Sequence, residues 1–92
     1  MVNINTYNAL LEKNNLKHND VVSFDDGRMA RVVGYHQCYD NDNLLIFYVC
    51  DLEGDDGWNK SQLDDHDFVV DVDANELIHF LLPEEIIKIK EI

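Results

Sequence analysis

The sequence predicts a small, mainly β domain with one N-terminal helix. Three observations carry that expectation. Helical spacing of apolar residues is confined to the first fourteen positions. After residue 20 come short runs rich in Val, Ile, Phe and Tyr, punctuated by Asp, Asn and Gly. And 92 residues is the length of one domain, with 46% apolar residues and nine aromatics, enough to build a core where a disordered chain would lack them.

The helix is expected over about Asn5 to Asn14. Ile4, Tyr7, Leu10 and Leu11 recur every three or four residues, Asn5 or Thr6 can serve as N-cap, and Asn14-Asn15 is a stop. So short a helix is unstable alone and must pack on something.

Strand grammar follows. Val22 and Phe24, then Met29 to Val33, flank Asp25-Asp26-Gly27, and an Asp-Gly pair between β-rich runs is a strong hairpin signal because both residues tolerate positive φ. The second strand should run from Arg28 to about Cys38, with Gly34 as a bulge or bend. Residues 39–43 are a polar turn, and Leu44 to Asp51 is the most apolar strand. An acidic loop (Glu53, Gly54, Asp55, Asp56, Gly57) leads to Trp58, Leu63 and a second acidic turn, Asp64 to Asp67.

Phe68 to Val72 reads as another strand. For 73–82 two readings stand: a short helix capped by Asp73 and Glu76, or a hairpin turned at Ala74-Asn75 into Leu77–Leu82, with the hairpin preferred. Pro83 ends either element, Glu84-Glu85 suits one 3₁₀ turn, and Ile86 to Ile92 closes the chain as a strand.

Close-spaced strands of this kind suggest a small closed barrel, and particular stretches sharpen the expectation. Asp20-Val-Val-Ser-Phe-Asp-Asp-Gly-Arg-Met-Ala-Arg-Val-Val-Gly-Tyr35 resembles the opening hairpin of an SH3-like barrel. Gly57-Trp58-Asn-Lys-Ser-Gln-Leu63 is similar to the Trp-x₄-Leu step before the closing strands of such modules, and Leu82 to Ile89 resembles their ending. The resemblance covers about Asp20 to Ile92. It implies five to six antiparallel strands, with the helix (1–17) added before the barrel (20–92) and 68–82 inserted. Small proteins of this look are frequent in bacterial phages and mobile elements. Fold alone does not fix function, since SH3-like barrels bind peptides, nucleic acids and proteins alike.

Charge narrows the choice. The formal net charge is −12, and residues 1–39 contribute none of it, with four bases against four acids. Residues 40–92 hold fifteen acids against three bases, and 51–76 alone holds ten against Lys60. Such a surface repels nucleic acid and anionic membrane and attracts a basic protein surface, although acidity also serves solubility alone. No basic-then-apolar leader opens the chain, and the longest apolar run, Leu44 to Cys50, is seven residues against the roughly 20 that span a bilayer. With only Cys38 and Cys50, a cytoplasmic location with reduced thiols is expected.

Candidate chemistry is sparse. His36-x-Cys38 with Cys50 and His66 could form a zinc tetrad, but no Cys-x₂-Cys or His-x₃-His pair exists, and thiols buried as small apolar residues are the better reading. Registered by the 39–44 turn, Cys38 should face about Leu45 and Cys50 about Val33. Calcium loops starting at Asp51 or Asp71 lack Gly at position six and Glu at position twelve. Ser23 and Ser61 lack a nucleophile elbow. No catalytic residue, metal or cofactor is therefore assigned. Trp58 either anchors Leu63 in the core or lines a groove for proline-rich or basic ligands.

The expected function is a non-enzymatic, acidic protein-interaction module. In sharper form it is a phage or mobile-element inhibitor that mimics nucleic-acid charge. The alternatives are an immunity-type protein against a basic toxin and a subunit of a homo-oligomer such as a homodimer. The expected partner-binding residues are Asp51, Glu53, Asp55, Asp56, Trp58, Asp64, Asp65 and Asp67, because they concentrate acids around Trp58 in loop.

Overall fold

A computed structural model describes residues 4–24, 27–37, 45–51, 56–63, 67–82 and 87–88. Helix α1 spans Ile4–Lys13, and strands β1 (Val21–Ser23), β2 (Met29–Gln37), β3 (Leu45–Asp51), β4 (Phe68–Val69), β5 (Leu77–Leu81) and β6 (Ile87–Lys88) follow. One antiparallel sheet runs in the order β5-β3-β2-β1-β6, with β4 also on β2. The fold is mainly β with one N-terminal helix, as the sequence predicts.

Asn5 and Thr6 lie inside α1, so neither caps it. The C-terminal end closes as a Schellman motif. Asn15 takes φ 58°, its N–H donates to the Glu12 carbonyl, and the Leu16 N–H reaches back to Leu11 at 2.8 Å. That reversal buries Leu16 beside Tyr7, Leu10 and Leu11 on the sheet.

The β1–β2 hairpin pairs Val22 with Ala30 and Ser23 with Met29, and Gly27 turns it at φ +92°; Asp25 and Asp26 lie outside the described residues. β2 organises the sheet. β3 occupies one of its edges, while β1 and then β4 share the other. Between Val32 and Gly34 the β2–β3 register slips by one residue, the bulge expected at Gly34. A Cβ on Gly34 would lie 1.9 Å from the Phe68 carbonyl oxygen, so glycine is what lets β4 approach. The slip also corrects the expected register: Cys50 faces Arg31, not Val33, because Gln37 already pairs with Leu45 and the bulge adds another residue. Cys38 lies outside the described residues.

Two cores result, one on each face. Val22, Ala30, Val32, Tyr35, Phe47 and Val49 bury against α1. Val33, Tyr48, Cys50, Val72 and Ile78 form the second, closed by Leu63 and Val69.

Two expectations change in 68–82. The strand predicted to Val72 stops at Val69, because Asp71 adopts φ 56° and leaves the sheet. The turn at Ala74-Asn75 does form, with Glu76 accepting from the Asp73 N–H as a capping box would, but it makes no hairpin: β4 pairs with β2 and β5 with β3. Of the final strand only Ile87–Lys88 is described, beside β1; Pro83 to Ile86 and Ile89 to Ile92 lie outside the described residues.

Candidate functional site

Strand pairing sets four aromatic rings in a row on the face away from α1. His36 on β2 meets Tyr48 on β3 edge-on at 6.3 Å between centroids, and Tyr48 meets Phe80 on β5 edge-on at 6.2 Å. Phe80 then stacks on Trp58 at 4.8 Å and 19°. Trp58 is held there by its backbone, which exchanges two hydrogen bonds with Ile78 across the outer edge of β5. The turn Lys60–Gln62 then carries the chain back so that Leu63 packs on the second core.

The row floors a groove of about 290 Å³ lined by His36, Ile46, Tyr48, Trp58, Leu63, Phe80 and, at its polar points, Gln62 and Asp67. Trp58 is 40% exposed and Phe80 43%, an unusual outlay of large apolar surface on so small a fold. At the far end the Asp67 carboxylate, its side chain only 6% exposed, pairs through Oδ1 with Nδ1 of His36. Its second oxygen has no hydrogen-bond partner among the described residues.

The acids expected to bind a partner divide. Asp56 is exposed and flanks Trp58 through Gly57. Asp51 is not a loop residue: it ends β3 on the α1 face, its side chain fully buried between Arg28 and His79. A carboxylate so enclosed is unavailable to a partner, which corrects its assignment. The Asp67 side chain is likewise mostly enclosed rather than on an exposed turn, and it lines the groove. Glu53, Asp55, Asp64 and Asp65 lie outside the described residues.

No protein-family model matches this chain, and no curated protein or solved structure matches it either.

Behind the row, Arg31 gathers the second face. Its guanidinium donates to Asn19 Oδ1 at 2.6 Å, to the Asp71 carbonyl at 3.1 Å and to Glu76 Oε2 at 2.8 Å. Burial pushes the Cys50 thiol up to about 11, reinforced by its hydrogen bond to Glu76 and by that carboxylate's charge. Such a thiol stays protonated at neutral pH and is no nucleophile. Burial works against the charge of Glu76, yet the bonds from Cys50 and Arg31 outweigh it and hold its carboxyl below the usual range. Of the zinc candidates, His36 is committed to Asp67, while Cys38 and His66 lie outside the described residues. Among the described residues, no three His, Cys, Asp or Glu side chains gather as metal ligands.

Sequence reasoning singled out Trp58 but missed Phe80 and Tyr48. Both sit in apolar strand runs where period-two alternation marks a shared face but not which aromatic is left uncovered. His36 drew notice only as a metal ligand.

Proposed function

We propose that this protein is a non-enzymatic interaction module that binds a basic surface on another protein. The observation that carries the reading is the stacked, half-exposed pair Trp58 and Phe80 within residues 40–92, the half that holds the whole acid excess. Flat rings with cation affinity, with Asp56 at one side and Asp67 in the same groove, suit Lys- and Arg-bearing surfaces. In its sharper form the module is a phage or mobile-element protein in the cytoplasm that occupies the nucleic-acid site of a basic partner by charge mimicry. A second copy of the chain fits the patch less well, since two molecules at −12 repel. Among the described residues no helix is long and apolar enough to cross a membrane.

An SH3-like barrel is the architecture we propose. Support comes from the long β2 bent at its bulge and from the end strands of the sheet path, β5 and β6, being joined by only five residues, both of which favour curling.

The test is a salt titration of binding to polylysine, with the Asp55→Lys, Asp56→Lys double variant alongside. Charge-driven binding weakens steeply from low to high salt, and the variant associates more slowly while its melting is nearly unchanged. Salt-independent binding, or a variant that associates as fast as the parent at low salt, contradicts the proposal.

A further inference from the structure

We infer that the aromatic groove is a side-chain pocket for one arginine of the partner, its guanidinium seated on Asp67. This rests on the reading of the protein as a binder of basic surfaces and adds where and what it reads. The acidic loop can attract any cation from a distance; the groove has the parts of a specific contact.

Asp67 is the first part. It is a carboxylate with a side chain 6% exposed, lining the groove, with Oδ1 engaged by His36 and Oδ2 without a partner among the described residues. A carboxylate this enclosed is poorly hydrated, and a cationic donor arriving through the groove satisfies it best. His36, which also lines the groove, pairs with Oδ1 and leaves Oδ2 to a ligand.

The walls are the second part. Tyr48, Phe80, Trp58, Ile46 and Leu63 present ring faces and aliphatic surface, which suit an apolar stem ending in a weakly hydrated, planar cation. Arginine matches both needs, because its guanidinium stacks on rings and bonds a carboxylate at once. Lysine's compact ammonium is strongly hydrated and gains less from rings it cannot stack on. The space, about 290 Å³, is of side-chain size rather than that of a folded element.

Trp58 is the only tryptophan in the chain, so its fluorescence reports occupancy directly. Three blocked pentapeptides, each with one central residue (arginine, lysine or citrulline) between glycines, are titrated into the full chain, with polylysine as a fourth arm. The arginine peptide is expected to give a saturable change, with lysine about tenfold weaker and citrulline, isosteric but uncharged, weaker still. Asp67→Asn should remove the preference for arginine over citrulline; these peptide arms need no variant, so a misfolded Asp67→Asn does not spoil the test. Equal response to citrulline and arginine overturns the inference, as does equal response to lysine. If polylysine binds at low salt while the arginine peptide leaves Trp58 unchanged, the pocket is refuted and the acidic-surface reading stands. If neither binds, both fail.

Discussion

His79 Nε2 lies 3.0 Å from Asp51 Oδ2, yet off the line of a hydrogen bond, so a buried ring nitrogen is left without a donor–acceptor partner. The same carboxylate oxygen takes the Arg28 guanidinium at 3.0 Å, and Arg28 lies over the Phe24 ring, which meets His79 edge-on. Asp51 is thus the hub of a cluster that ties the β1–β2 hairpin turn to β5 through β3. Its charge is compensated by Arg28, and His79 lies beside it without a hydrogen bond.

Removing the hub should cost stability. Asp51→Asn keeps the shape but removes the charge of the Arg28–Asp51 pair, and breaking a buried pair typically costs about 3–5 kcal/mol. Arg28 is one-third exposed and can turn toward water, so about 2 kcal/mol is expected here, read from urea unfolding. The general relief from deleting one of nineteen acids acts the other way. A variant as stable as the parent would show that repulsion outweighs the pair.

Gly34→Ala tests whether the bulge holds β4 in place. The new methyl would meet main-chain atoms, 1.9 Å from Phe68 O and 2.8 Å from Val69 Cα, and no side chain can move aside. β4 must shift from β2, breaking the Val70 N–H bond to Val33 O and loosening Phe68 against Tyr7 and Tyr35. A loss of about 3 kcal/mol is expected, the upper range for overpacking. Hydrogen exchange at Val70 should rise with it. Protection unchanged there would mean that the strand yields without cost.

Alkaline pH should weaken the fold. The Cys50 thiol is held at about 11, above its value of about 9 in an unfolded chain, first by burial and then by Glu76. Between those values the unfolded state releases a proton that the folded state retains. Stability is therefore full below about pH 9 and falls as pH rises toward 11, by about 2–3 kcal/mol. Tyr7, raised mainly by burial, adds in the same direction at higher pH. Unfolding midpoints measured from pH 7 to 11 should fall in the parent and fall less in Cys50→Ala. A flat profile would mean that the thiol ionises freely in the folded state.

What the sequence made legible was local. The helix, the Asp-Gly hairpin, the Gly34 bulge and the apolar β3 each follow from a residue's backbone preference or from periodicity, which neighbours in sequence determine. Pairing across distance was not legible. Ala74-Asn75 turns the chain as read, but nothing in Leu77–Leu81 says that its partner is β3 rather than the preceding strand. For the site the same division holds. Acids near Trp58 could be counted, but the burial of Asp51 and Asp67 depends on Arg28, His79 and His36, which only the folded sheet brings to them. The Trp58–Phe80 stack joins residues twenty-two positions apart through a single bridge at Ile78.

That stack supports the last prediction, which separates an exposed anchor from a core tryptophan. In Trp58→Ala the backbone bonds to Ile78 persist, since they need no side chain. What is lost is a half-exposed ring and its contact with Phe80, worth about 0.5–1.5 kcal/mol as an aromatic pair. For a domain of this size the melting temperature should fall by no more than about 12 °C. Binding to a basic partner should fall far more than this loss of stability explains, and Phe80→Ala should reproduce it, because either change dismantles the same wall. The double variant should be little worse than either single one, the mark of residues acting as a unit. If Trp58→Ala instead melts much lower, with binding by the remaining folded protein intact, the ring belongs to the core, and the docking surface must be sought elsewhere on the acidic half.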